Sequence, residues 1–271
     1  MMQFPSGEAV LYRAAMTGES HLPEEVASRF RSDVVLKRDV FSTIERGHFV
    51  TESGEVPAVL RRIDVAPWWS FPLAHHLFRR EKRALAIAGR LGIAPPLLFA
   101  GRRSLVRGWI DGLPVHIAKP VADLAYFRSA KRALRAVHRA GLTHNDLAKE
   151  QNWLRTPDGR AALTDFQLAS VFRGRGYLFR LMAYEDLRHL LKHKRRYAPE
   201  NLTAGEKRVL ARKSWLTRIW MATGKRVYYW ITRGVLNFAD REGGGLRLVD
   251  DAPALTAWLK RHPAVRDAAI V

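Results

Sequence analysis

The stretch HNDLAKEQNWLRTPDGRAALTDFQLA, His144 to Ala169, decides how this chain is read. Asn152-Trp153-Leu154 has strand character, Pro157-Asp158-Gly159 is turn chemistry, and Ala161-Ala162-Leu163 is a second apolar run, so the segment predicts a β-hairpin. A hairpin brings its ends together. Asp146 and Asn152 before it and Asp165 after it, 165 − 146 = 19 residues beyond the first carboxylate, can then converge on one volume. Two carboxylates and an amide are hard oxygen donors of the kind magnesium takes.

Upstream, Val34–Lys37, His48–Val50 and Ala58–Arg61 read as short strands separated by polar loops and the Ser53-Gly54-Glu55 turn. From Leu73 to Leu91 the texture becomes helical, with Leu77, Glu81, Leu85 and Ala88 on one face and Gly92 as the stop. Leu97–Phe99 and Leu105-Val106 suggest another hairpin before a loop at Asp111–Pro114. After Pro120, Phe127, Ala130, Leu134 and Val137 form an apolar helical stripe that ends at Gly141. The order predicts an α+β protein of two lobes, with an extension over 1–28, a strand-rich lobe over 29–110 and a mainly helical lobe over 111–271.

The 271 residues are 47% hydrophobic, enough for a real core, and contain no cysteine, which rules out disulfides, thiolate metal sites and a cysteine nucleophile. Neither a signal-peptide pattern nor an apolar run near the ~20 residues of a membrane span is present, so a cytoplasmic protein is expected. Lys and Arg number 46 against 26 Asp and Glu, a net charge of +20. That excess suggests an anionic partner: an acidic substrate, an anionic membrane face or, ranked behind these, nucleic acid. A basic surface kept for solubility is the plain alternative.

On His144-Asn145-Asp146, Asn152 and Asp165-Phe166, the chain resembles the protein-kinase-like superfamily, and within it the RIO-type kinases and the lipopolysaccharide-core (Kdo) kinases. The resemblance covers roughly residues 30 to 195 and implies a two-lobed fold, a small antiparallel-sheet N-lobe with one helix and a mainly helical C-lobe. It implies ATP and Mg2+ as cofactors. Asp146 would orient the attacking hydroxyl, Lys149 would lie near the transferred phosphate, and Asn152 and Asp165 would bind the metal. His144 would be a buried organiser beneath the metal-binding segment. The loop departs from the usual pattern, because 152 − 146 = 6 where most kinases have five, so Glu150 could replace a ligand if the loop bulges. Gln167 stands where glycine is common, which makes a large flip of the segment harder.

In the N-lobe the resemblance calls for a strand cation held by a helix glutamate. Arg61, preferred to Arg62, and Glu81 are the candidates; Glu81 could otherwise pair at the surface with Arg79, Arg80, Lys82 or Arg83. No G-x-G-x-x-G is present, so Phe41–Gly47 would have to cover the phosphates with hydroxyls and backbone N–H groups, using Ser42 and Thr43, with Lys37 beside them. Adenine would lie on the linker near Val106, Trp109 and Ile110. Asp186 would brace the catalytic loop or else form an exposed i,i+4 pair. Thr203-Ala204-Gly205-Glu206 is a capping box opening a basic helix, and Trp215, Trp220 and Lys225–Trp230 suit either a membrane interface or an ordinary core. The expected function is phosphoryl transfer to a hydroxyl on a protein Ser/Thr or a lipopolysaccharide-core sugar, in the cytoplasm or at the inner membrane face. The alternatives are a nucleotide-binding pseudokinase or scaffold and, behind it, a nucleic-acid-binding module.

Overall fold

The computed structural model describes residues 22–212. The chain divides into two compact units, Met1–Lys213 and Ser214–Val271, and the account that follows concerns the first. Trp215, Trp220 and Lys225–Trp230 lie outside the described residues.

A one-turn helix α1 (Glu24–Ala27) leads into β1 (Phe30–Arg38), β2 (Thr43–Thr51) and β3 (Gly54–Arg62). These form a meander that β4 (Leu97–Ala100) and β5 (Ser104–Gly108) complete as an antiparallel sheet of order β1-β2-β3-β5-β4. The β2–β3 turn is two residues long, and Thr51 Oγ1 donates to Gly54 O at 2.7 Å. Gly47 has a packing reason, since a Cβ there would come within 1.9 Å of the Arg31 carbonyl oxygen on β1. Between β3 and β4 lies α2 (Phe71–Ala88), followed by a single 3-10 turn to Leu91 and by Gly92 at φ 67°. Its buried face is Ala74, Phe78, Glu81, Ala84, Leu85 and Ala88. Phe78, not the expected Leu77, fills the middle of the stripe.

Among the described residues the part after Gly112 is mainly helical, as expected: α3 (Val115–Ala118), α4 (Leu124–Arg139), α5 (Tyr177–Tyr197) and α6 (Ala204–Ala211). Asp123 caps α4 by accepting from Tyr126 N at 2.9 Å, and the Phe127, Ala130, Leu134, Val137 stripe is buried. The Thr203/Glu206 capping box opens α6 as its sequence predicts. Short strands position the hairpin: β6 (Leu113–Pro114) pairs with β8 (Trp153–Arg155), which pairs with β9 (Ala161–Leu163), while β7 (Leu142–Thr143) pairs with β10 (Ser170–Val171).

One core runs from Ile63, Phe78 and Leu105 through Leu134 and Leu147 to Trp153 and Phe166, so the sheet, α2 and the hairpin share a hydrophobic interior. The opposite face of the sheet has its own small core of Val26, Phe30, Phe49, Ala58, Leu60 and Val106. Alternation along β5 sends Val106 to that far face, opposite Leu105 and Arg107, and not to the linker surface expected for it. Among the described residues no helix is long and apolar enough to cross a membrane.

Candidate functional site

The hairpin gathers its polar residues as the sequence predicts. Asn152 is buried, and its Nδ2 donates to Asp146 O at 2.8 Å and to Asp146 Oδ2 at 3.0 Å. With both donors committed to Asp146, the amide oxygen is the remaining group. The extra loop residue is absorbed in a 3-10 turn, Glu150–Asn152, closed by Asn152 N to Lys149 O at 3.2 Å. Glu150 is turned away to α5, where Arg196 Nη1 at 2.9 Å and Tyr197 Oη at 2.8 Å donate to its two oxygens. It therefore does not substitute for a metal ligand.

Lys149 Nζ lies 3.6 Å from Asp146 Oδ2. Burial is the main influence on Asp146 and pushes its pKa above the ordinary aspartate range; the Lys149 charge opposes this and the Asp165 charge adds to it. The two carboxylates are thus electrostatically coupled. Asp165 sits in the left-handed region at φ 61°, as does Asn145 at φ 67°, a conformation that costs a non-glycine residue of order 1 kcal/mol and is held by its surroundings.

Those surroundings are well defined. Buried His144 packs against Phe166, ring centroids 4.6 Å apart, and its Nε2 donates to Thr164 O at 2.9 Å. Asp186 on α5 accepts from His144 N at 2.8 Å and Asn145 N at 2.9 Å, and His138 Nε2 lies 3.2 Å from it, so it is a buried brace and not an exposed pair. Asn145 Nδ2 donates to Leu168 O at 2.8 Å. Arg80 on α2 grips the same segment, donating to Ala169 O at 3.0 Å, Leu168 O at 2.6 Å and Ser170 Oγ at 2.8 Å. Sequence reasoning missed Arg80, which lies inside a run of cations with nothing local to set it apart.

Arg61 pairs with Glu81, both nearly inaccessible to solvent, so Glu81 is not one of a surface cluster. Arg62, on the other face of β3, lies 3.3 Å from Glu45. The α2 helix therefore fastens the sheet through Glu81 and the Asp165 segment through Arg80. Register places Val59 between Arg46 on β2 and Arg107 on β5, with Arg61 two residues further along the same face. Arg46 stacks its guanidinium 4.3 Å from the Trp109 ring, and Arg107 Nη1 donates to Thr164 Oγ1 at 2.9 Å. Three arginines consequently share the face that looks toward the hairpin.

Several expected nucleotide contacts are not arranged as the sequence suggested. Thr43 begins β2, and both Ser42 and Thr43 are buried rather than lying in an open loop. The β1–β2 connection is a tight turn in which Asp39 Oδ1 accepts from Phe41 N at 2.9 Å and Ser42 N at 2.8 Å, so those N–H groups are already used. Lys37 Nζ closes the turn 2.8 Å from Asp39 and remains largely exposed. Trp109 is covered by Arg46, with its Nε1 bonded to Asp111 at 2.9 Å. Ile110 helps line a separate cavity of about 920 Å³, bounded by Gly92, Arg132, Pro157 and Ala162.

No group of three or more His, Cys, Asp or Glu side chains is poised for a metal among the described residues. The donor set at the hairpin, two carboxylates and an amide oxygen beside a lysine, nonetheless fits a hard divalent cation that keeps several waters. The chain matches no protein-family model, and no curated protein is significantly similar to it.

Proposed function

We propose that the protein is a magnesium- and ATP-dependent phosphotransferase with a protein-kinase-like fold, acting on a hydroxyl acceptor. The observation that carries this reading is the convergence of Asp146, Asn152 and Lys149 at one end of a hairpin whose other end bears the coupled carboxylate of Asp165. Asp165 and the Asn152 amide oxygen would hold magnesium, which when bound supplies positive charge against the phosphate oxygens. Asp146 accepts the hydroxyl proton as the acceptor oxygen forms its bond to the γ-phosphorus and the bond to the ADP oxygen breaks. Its raised pKa suits that role. Lys149 offsets charge on the transferring group. Arg61, oriented by Glu81, offers its fork to the remaining phosphates. Anionic glycolipid sugar and protein Ser/Thr both satisfy this chemistry as acceptors, and the +20 charge favours the anionic one.

A second reading, a catalytically silent scaffold, has one observation in its favour: Arg46 over Trp109 and Arg107 on Thr164 occupy space beside the linker where a base would lie. Turnover of ATP with magnesium by wild type, Asp146→Ala and Asp165→Ala separates the two. The phosphotransferase reading expects turnover in wild type and a loss of at least about a hundredfold in both variants. Equal rates in all three proteins sink it.

A further inference from the structure

Beside the Asp146 loop lies a second cleft of about 440 Å³, lined by Ala148 and Glu150 on one wall and by His189, Lys192, His193 and Arg196 on the other, with Arg195 at its edge. The four helix residues fall at i, i+3, i+4 and i+7 on α5, one continuous stripe facing the loop. The wall is fixed: His193 Nε2 donates to Leu147 O at 2.8 Å, and Arg196 and Tyr197 hold Glu150.

Charge in this cleft is not balanced. Glu150 is its acid, and Arg196 neutralises it. Glu185, whose charge also reaches Lys192, is held 3.0 Å from Arg188. Lys192 and Arg195 have no acidic partner within 4 Å among the described residues. Burial and then the Lys192 charge push His189 down to about 4, so its ring is neutral, and its Nδ1 is buried without a hydrogen-bond partner. Burial, followed by Arg188, likewise lowers Lys192. Two cations without an acid, set around a cavity, match an oxyanion.

We propose that this cleft is the docking subsite for a phosphate or carboxylate carried by the acceptor, with Lys192 and Arg195 as counter-charges and His189 as part of its wall. The assignment rests on the phosphotransferase reading of Asp146. Ala148 is two residues from Asp146, so their Cα atoms are at most about 7.6 Å apart, which places the anion within one small molecule's span of the hydroxyl that Asp146 orients. The acceptor class is therefore a hydroxyl compound that already bears an acidic group.

The test follows His189 and His193 ring resonances in the full chain carrying Asp146→Ala while inorganic phosphate is added at constant ionic strength. The expected result is a saturable shift of His189 that weakens about tenfold in Lys192→Gln and in Arg195→Gln, the loss of one charge-assisted contact, but not in Arg132→Gln at the other cavity. No shift, or equal weakening by Arg132→Gln, overturns the subsite. Glucose 6-phosphate and phosphatidylcholine vesicles containing phosphatidic acid are then added as competitors. Competition by the first marks a soluble phosphosugar and by the second a lipid headgroup, and competition by neither overturns the assignment. Phosphate binding lost while wild type turns over ATP fails the subsite alone; turnover absent while phosphate binds fails the phosphotransferase reading alone.

Discussion

Replacing Glu81 with leucine removes the only counter-charge paired with Arg61 among the described residues, at a position where neither side chain has appreciable access to water. Breaking a buried pair by deleting one partner costs about 3–5 kcal/mol, because an uncompensated charge is left inside. For a unit of this size each kcal/mol lowers Tm by about 2–4 °C, so Glu81→Leu should melt roughly 6–20 °C below wild type. The double variant Arg61→Met/Glu81→Leu fills the same space with apolar atoms and should recover to within about 1 kcal/mol of wild type. Urea unfolding followed by tryptophan fluorescence measures both. Turnover of ATP supplies the second axis: the stable double variant should still be impaired if Arg61 holds phosphate. A Glu81→Leu protein within about 1 kcal/mol of wild type would refute the buried-pair argument, and full turnover in the double variant would refute the role given to Arg61.

Two further outcomes rest on other buried carboxylates. Burial alone would raise Glu206, but hydrogen bonds from Lys194, Thr203 N and Lys131 outweigh it and hold its pKa at about 2. A depressed acid contributes stability above its unfolded pKa, near 4.3, and loses it as pH falls through the folded value. The stability gap between wild type and Glu206→Gln should therefore be full at neutral pH and shrink from about pH 5 toward pH 2; a gap independent of pH in urea titrations contradicts the assignment. Asp186→Asn keeps the shape of the brace but turns an amide donor toward the His144 or Asn145 N–H, so about 2–4 kcal/mol of stability should be lost, with impaired turnover in the folded fraction. Wild-type turnover in that variant would show that the loop holds its conformation without Asp186.

The helix stripes, the meander and the hairpin were legible because each has a local period or turn: Phe127 to Val137, Pro157-Asp158-Gly159 and the Thr203/Glu206 box all lie where their pattern puts them. Asp146, Asn152 and Lys149 followed from the hairpin, since its closure fixes what lies at its ends. The β1–β2 turn was misread because Asp39, two and three residues before the N–H groups it caps, consumes donors that the loop was expected to offer. Arg80, Arg46 and Arg107 were missed for another reason. Their partners, Ala169, Trp109 and Thr164, lie 89, 63 and 57 residues away in sequence, and a basic chain gives no local cue to which arginine makes such a distant contact.

In the proposed reaction Asp165 and Asn152 hold a magnesium ion against the nucleotide's phosphates, while Asp146 takes the acceptor hydroxyl and Lys149 the transferring group. Calorimetric titration of ATP into wild type and Asp165→Ala, each with and without magnesium, tests it most directly. Magnesium should strengthen ATP binding by wild type at least about tenfold and have no effect on Asp165→Ala. Equal magnesium dependence in the two proteins, or none in wild type, would contradict it.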